Sequence, residues 1–392
     1  MAESIVIVAA KRTPIGAMQG KFNSVTAAQL GAVAIKAAIE QAGVKPTEVD
    51  DVIFGCVLPA GQGQAPARQA ALGAGLDKST PATTVNKMCG SGMKAAMMAA
   101  DELSSGQATI VVAGGMESMT NAPHLLPKAR GGYRYGHQKV LDHMAFDGLE
   151  NAYDGKPMGT FADATAAKYG FTREQMDQYS KTSTERALAA VKSGAFKDEI
   201  APVTVEGRKG NEIVSDDETP FAVNVDKIPT LRPAFNKDGT VTAATSSSIS
   251  DGAAALVMMT ESEAKKRGTK PLARIVAYAS NAHEPEWFTT APVGAIKKVL
   301  DKAGWKAGDV DLFEVNEAFA VVTMAAMKDV GIPHDKVNVN GGAVALGHPI
   351  GATGARIITT LIYALKQRGG KKGVAALCIG GGEATAIALE IL

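Results

Sequence analysis

Two stretches of the chain repeat one another in their pattern of apolar and polar positions. "AIKAAIEQAGVKPTEVDDV" (Ala34 to Val52) and "AIKKVLDKAGWKAGDVDLF" (Ala295 to Phe313) align without a gap at an offset of 261 residues. In each, apolar residues recur three and four positions apart, an Ala-Gly pair ends the run, and a short polar turn leads into an apolar segment. That pattern predicts an amphipathic helix, a glycine stop and a buried strand, "VIFGCV" in the first copy and "LFEVNEAF" in the second. The same offset carries position 89, just before "GSGMKAA", to position 350 inside "GHPIGATGARIITTLIYAL", so a glycine-rich turn opens a helix in both copies. Later strands read as "ATIVVAGGMES" and "GVAALCIGGGEAT", with closing strands "GAAALVMMTE" and "ATAIALEIL". Buried strands alternating with helices predict a duplicated α/β layered fold, with a mixed sheet in each half and a pseudo-twofold axis relating the halves.

The segment from about Thr120 to Ala244 has no counterpart in the second copy. The expected division is therefore a first half formed by residues 1–120 and 245–270, an inserted loop domain at 121–244, and a second half at 271–392. The insertion starts with the basic "PKARGGYRYGHQK", contains a helix in "TREQMDQYSKTSTERALAAVKSG", and ends in "KIPTLRPAFNKDGTV", which reads as turn and strand. An insertion of this size over a fold edge serves as a binding lid or an assembly surface.

Composition narrows the class. The 392 residues are 46% hydrophobic and 21% charged, with 42 glycines, which describes a closely packed globular protein rich in tight turns. Forty-one basic against 40 acidic residues leave no global field to draw the chain to nucleic acid or to an anionic membrane. The start "MAESIVIVAAKRTPIG" has no basic segment followed by an apolar one, and no apolar run approaches the roughly 20 residues of a membrane helix, so the expected location is cytoplasmic. Three cysteines with no C-x-x-C pair argue against a disulfide framework and against zinc, and no metal site is expected.

Candidate chemistry begins at Cys89 in "VNKMCGSGMKAA". "GSGMKA" fits a dinucleotide-binding loop, but Cys89 would occupy the space of the pyrophosphate and no acidic residue ends the next strand. Alternatively, the helix N-terminus acts on the thiol itself, drawing its pKa below the free value of about 8.5 and making it a nucleophile. By residue type alone, Cys89, Cys56 and Cys378 would be small buried hydrophobes. The glycines after Cys378 in "CIGGGEA" would let a ligand approach the backbone. Asn316 and Glu317 in "EVNEAFA" could cap the following helix. His348 sits in the glycine-rich "GHPIG"; His124, His137, His143, His283 and His334 lack comparable surroundings.

Taken together, "NKMCGSGMKA", "EVNEAFA", "GHPIGATGAR" and "CIGGGEA" closely resemble the thiolase family, in its short-chain acetyl-CoA C-acetyltransferase branch, and the resemblance covers the whole chain. It implies a thiolase-like fold and a reversible Claisen condensation of two acetyl-CoA to acetoacetyl-CoA and CoA, with no cofactor beyond the CoA thioesters themselves. Such chemistry needs a nucleophile to hold the acyl group, a base to activate it, a second base for the α-carbon proton, and donors for two oxyanions. The resemblance assigns these to Cys89, His348, Cys378, the N–H groups of Cys89 and Gly380, and His348 with a water held by Asn316. It implies a pantetheine tunnel lined by Leu149, Met158, Phe235, Ser247, Ala318 and Phe319, and an acyl pocket in which Phe288 replaces a more usual methionine and would admit a 2-methyl group. Pro220 and Lys227 stand where relatives carry arginine and serine near the adenine end. A homotetramer of dimers is implied, with "VVAGGMESM" pairing across the dimer and "PKARGGYRYGHQK" tying dimers together. The alternatives are a broader-range 3-ketoacyl-CoA thiolase of fatty-acid degradation and a non-catalytic thiolase-like lipid carrier.

Overall fold

The computed structural model describes residues 3–208 and 210–392. The first half runs through β1 (Ile5–Arg12), the two-residue β2 (Gly16–Ala17), α1 (Ala27–Ala42), β3 (Asp51–Gly55), α2 (Pro66–Gly73), β4 (Ala82–Val85), α3 (Ser91–Ser104) and β5 (Ile110–Ser118). Between β5 and the last strand of this half lie β6 (His124–Leu125), β7 (Leu141–Asp142), α4 (Met158–Tyr169), α5 (Arg173–Ser193), β8 (Val203–Val205), β9 (Glu212–Val214) and α6 (Thr219–Ala222). β10 (Ser250–Thr260) and α7 (Glu261–Arg267) complete it. The second half comprises β11 (Ala273–Ala282), α8 (Ala291–Ala303), β12 (Leu312–Val315), α9 (Ala320–Val330), α10 (Ala343–Leu346), α11 (Thr353–Arg368), β13 (Lys372–Ile379) and β14 (Glu383–Ile391).

The repeat visible in the sequence is a repeat of local physics. Thr26 caps α1 by accepting from the Gln29 N–H while the Gln29 side chain accepts from the Thr26 N–H, a reciprocal box that satisfies two orphan donors. Both α1 and α8 then stop at a glycine in the left-handed region, Gly43 at φ 64° and Gly304 at φ 66°, where a Cβ would be strained. Each copy orders its strands alike, β1-β10-β5-β3-β4 and β11-β14-β13-β12, parallel among β3, β4 and β5 and between β12 and β13, where helices cross over, and antiparallel elsewhere.

The two halves do not form separate sheets. β1 and β11 pair over Ile5–Ile7 with Ala273–Ile275, joining both sets into one ten-stranded sheet. The sequence pattern expected one sheet per half; it carries no information about pairing between first strands. Two further expectations change. "KIPTLRPAFNKDGTV" forms a 3-10 helix, Val225–Thr230, and one isolated bridge rather than a strand, because Pro229 and Pro233 interrupt any ladder. β5, the strand of "VVAGGMESM", is flanked by β3 and β10 on its two sides, so it has no free edge to pair across a dimer; β4 is the strand at that end of the sheet.

A central layer holds the halves together. α3 and α11 pack against each other within a core that also receives Val111 and Ala113 from β5 and Ala375 and Leu377 from β13. α11 is buried without interruption from Thr353 to Leu365, as a helix covered on all sides must be. Its contact with α3 depends on glycine: a Cβ on Gly92 would lie 2.8 Å from Ala355 N, and one on Gly354 would collide with Met93. Outer layers of α1 with α2 and of α8 with α9 cover the other faces. Because α3 and α11 start at this close crossing, the loops before them, which carry Cys89 and His348, are brought to one place.

Candidate active site

A cavity of about 360 Å³ opens beside that crossing, within the range of small-molecule sites. Cys89, His348 and Gly380 are among its lining residues, and its walls are largely apolar. Leu149, Met158 and Phe235 come from the inserted segment, Ser247 from the approach to β10, and Phe288, Ala318 and Phe319 from the second half. Ser247 is fixed by its N–H and hydroxyl, both donating to the Ala318 carbonyl at 3.0 Å. Phe319 packs edge-on against Phe235 and Phe288, with ring centroids 5.9 and 6.4 Å apart. Leu149 ends a π-turn over Ala145–Leu149, braced by His143 Nδ1 at 2.6 Å from Asp147 Oδ2. Met119, Gly148, Pro157 and Ile350 also face the cavity; nothing in their residue types marked them.

Cys89 lies one residue before Gly90, the N-cap of α3, and directly after Met88, whose φ of 46° is unusual for a side chain of that shape. Asn86 Oδ1 holds the strained turn by accepting from Met88 N–H at 2.9 Å. The N–H of Gly380 and the N–H of Cys89 itself are directed at the sulphur, yet burial dominates and pushes the thiol up to about 11. Desolvation thus opposes the pull expected of the helix end, raising the thiol rather than lowering it.

His348 is arranged to take that proton. Its Nδ1 lies 2.6 Å from Thr353 Oγ1, whose own hydroxyl donates to Pro349 O at 2.9 Å, so Thr353 accepts from Nδ1–H and leaves Nε2 unprotonated, as an acceptor. Burial, reinforced by the Arg356 guanidinium, pushes His348 down to about 3, which keeps it neutral. Arg356 is itself buried, 3.7 Å from Glu314. Asn316 Nδ2 donates to His348 Nε2 at 3.4 Å, while Asn316 Oδ1 has no hydrogen-bond partner among the described residues. Thr353 was not singled out from the sequence, although it lies only five residues beyond His348.

Cys378 is buried behind the cavity beside Phe288 and Phe319, and is not part of the cavity lining. Burial pushes its thiol well up, and nearby Cys89 adds to the effect whenever it is ionised. Cys56 is buried with its sulphur 3.7 Å from Glu117 Oε1. Glu317 does not cap α9, whose N-cap is Phe319; its buried carboxylate accepts from Tyr179, Ser183, Asn338 and the Val344 N–H, tying α5 to the loop before α10. Lys227 is exposed and Pro220 buried, away from the cavity lining. Among the described residues no cluster of three or more His, Cys, Asp or Glu is placed to hold a metal, and no helix is long and apolar enough to cross a membrane.

Comparison with known proteins agrees with this architecture. The thiolase N-terminal domain model matches residues 5–262 and the thiolase C-terminal domain model residues 269–391. The chain is 50% identical over 388 residues to the acetyl-CoA acetyltransferase of Chromobacterium violaceum, covering 98% of this chain and 99% of that one. It is 49% identical over 392 residues to the acetyl-CoA acetyltransferase of Allochromatium vinosum, covering both fully. The crystal structure of the Bacillus anthracis acetyl-CoA acetyltransferase superposes with a TM-score of 0.97 at 42% identity, over 100% of this chain and 99% of that one. The duplicated fold, the two domain matches and full-length relatives at half identity lead to one conclusion: this chain belongs to the thiolase family.

Proposed function

We propose that this chain is an acyltransferase that condenses two acetyl-CoA to acetoacetyl-CoA and CoA, and runs the reverse thiolysis, through an acetyl thioester on Cys89. The observation that carries the proposal is the meeting of Cys89, neutral His348 and the Gly380 N–H in the lining of an apolar cavity. His348 Nε2 takes the Cys89 proton as the sulphur attacks the thioester carbonyl, and returns it to the departing CoA sulphur; the N–H groups of Cys89 and Gly380 hold the oxyanion. Burial keeps Cys378 protonated at rest, the form that donates to the α-carbon in thiolysis. Asn316 and His348, through a water, serve the second oxyanion. The site residues act without a bound cofactor, since the acyl groups arrive and leave on CoA.

Leu149, Met158, Phe235, Ser247, Ala318 and Phe319 form the pantetheine passage, with residues 121–244 acting as its lid, and Phe288 shapes the acyl pocket, admitting a 2-methyl group. The solution species is a homotetramer of dimers in the cytoplasm, with the exposed Leu126, Tyr135 and Val140 around the basic loop available for contacts between dimers.

The test is direct. Acetyl-CoA alone should add one acetyl group to the intact protein, mapping to Cys89, and acetoacetyl-CoA with CoA should give two acetyl-CoA. A protein that accepts no acetyl group and consumes no acetoacetyl-CoA would overturn the proposal.

A further inference from the structure

Glu117 is a buried carboxylate that reaches the His348 loop, and nothing in the acyl-transfer scheme uses it. It is the penultimate residue of β5, is fully buried, and accepts four donors. Oε2 takes the N–H of Gly351 at 2.9 Å and of Val57 at 3.0 Å; Oε1 takes the N–H of Leu58 at 3.1 Å and the Cys56 thiol at 3.7 Å. Gly351 follows His348 by three residues, and Val57 and Leu58 follow β3. One carboxylate thus joins the loop that carries the base, from the second half, to the strand ends of the first.

Backbone packing at the same point is independent of that hydrogen bonding. A Cβ on Gly55 would lie 2.7 Å from Gly351 O, one on Gly115 would collide with the same oxygen, and one on Gly351 would lie 2.7 Å from Glu117 Oε2 and from Met116 O. Three glycines let the His348 loop seat against β3 and β5 with no side chain between.

The duplicated fold supplies an internal control. The parallel ladders pair Asp51 with Val111 in the first half and Leu312 with Gly373 in the second, which matches Glu117 of β5 with Ile379 of β13. Ile379 meets the opposite loop too, packing where a Cβ on Gly90 would collide. Hydrocarbon therefore suffices to seat the Cys89 loop, whereas the His348 loop is held by a carboxylate whose burial pushes it up to about 7 with no cation among its partners. A costly group stands where an apolar one serves in the sister position.

Resting on the acyl-transfer reading of the site, we propose that Glu117 is a positioning residue: its carboxylate fixes the His348 loop against the first half and so sets the imidazole relative to Cys89. It touches neither substrate nor the reacting atoms, and the cavity walls lie elsewhere, so its loss acts on rate rather than on binding.

The experiment compares Glu117→Ala, Glu117→Gln and Val111→Ala, the last removing buried volume from the same strand away from the loop. The rate of Cys89 acetylation at saturating acetyl-CoA should fall at least tenfold in Glu117→Ala, with the half-saturating concentration within about twofold. Glu117→Gln should fall at least threefold, since one carbonyl oxygen replaces two. Val111→Ala, matched for loss of thermal midpoint, should stay within about twofold. Amide exchange should rise in peptides spanning 56–58 and 348–353 for the Glu117 variants only. Glu117→Ala tracking Val111→Ala in rate and exchange overturns the proposal; if Glu117→Ala does not fold, a Gln variant with wild-type rate and exchange does so. Failure of the wild-type protein to acetylate would count against the acyl-transfer reading instead, and the exchange pattern would still decide whether Glu117 holds the loop.

Discussion

The loop before α3 and the loop before α11 occupy equivalent places in the two halves, yet they are built for opposite demands. The first passes through Met88 at φ 46°, leaves Cys89 partly exposed in the cavity, and is tied at its rim by an ion pair between Lys87 and Glu383. The second is buried throughout, with His348 held by Thr353 and Gly351 held by Glu117. A nucleophile must be reached by a thioester, so its loop sits at the surface of the cavity and stores strain. A base must keep one tautomer and one protonation state, so its loop is enclosed and multiply bonded. Duplication supplied two copies of one scaffold; the chemistry lies in where they differ.

The comparison breaks most completely at the two cysteines, one from each half. Cys89→Ala should abolish both acetylation by acetyl-CoA and turnover. Cys378→Ala should leave acetylation detectable by intact mass while lowering condensation and thiolysis by about 10² to 10⁴, the usual cost of a lost general acid or base. Near-normal turnover in a folded Cys378→Ala protein would make Cys378 a core residue and assign the α-proton to His348.

The next largest effect should come at Thr353, matched in the first half by Gly92 at the same offset. Thr353→Val keeps the shape but cannot accept from His348 Nδ1–H, so the tautomer with Nε2 unprotonated is no longer enforced. A fall of about tenfold in kcat, about 1.4 kcal/mol of barrier, is expected with little change in KM. An unchanged kcat would show that packing alone holds the imidazole.

Access and ionisation separate the halves in a third way. Iodoacetamide should label Cys89 before Cys56 or Cys378, which are fully buried. The sign follows from burial: a thiol pushed up to about 11 is protonated throughout the neutral range, so its thiolate fraction should grow about tenfold per pH unit from pH 7 to 9. A rate that levels off near pH 7 would mean a resting thiolate after all.

That prediction marks where the sequence was and was not legible. Helix stops at Gly43 and Gly304, the inner and closing strands of both copies and the glycine-rich turns are local patterns and were readable, although the strand read through "LFEVNEAF" stops at Val315 and β1, β4 and β11 were not picked out. The site motifs were readable as a resemblance. The joining of the sheets through β1 and β11 was not, because edge pairing leaves no periodic mark. Nor was the surrounding of Cys89: a helix end contributes roughly 0.3–1 kcal/mol, less than one pKa unit at 1.36 kcal/mol per unit, and burial, invisible in sequence, acts against it. Glu117 read as the end of an apolar strand and Thr353 as one more small residue in a glycine turn, since each acts through a partner more than 200 residues away or through a loop shape that no spacing encodes.

The smallest expected effect lies at Phe288, where the second half carries a ring and the first, at the same offset, has Ala27. Phe288 is buried, meets the cavity, and is held edge-on by Phe161 and Phe319 with centroids 6.5 and 6.4 Å away. A ring clamped on two sides offers a fixed wall, and the space in front of it is constant from one turnover to the next. Methionine has similar bulk but an unbranched, flexible chain that fills whatever gap is left. Phe288→Met should therefore leave thiolysis of acetoacetyl-CoA within about threefold while lowering the preference for its 2-methyl analogue, by no more than about tenfold because a volume-conserving apolar swap costs under about 1.5 kcal/mol. Measuring kcat/KM for both substrates on both proteins isolates the change in preference from any general loss of packing, which would lower the two together. If the ratio stays fixed, the ring serves the core of the second half rather than the shape of the acyl pocket.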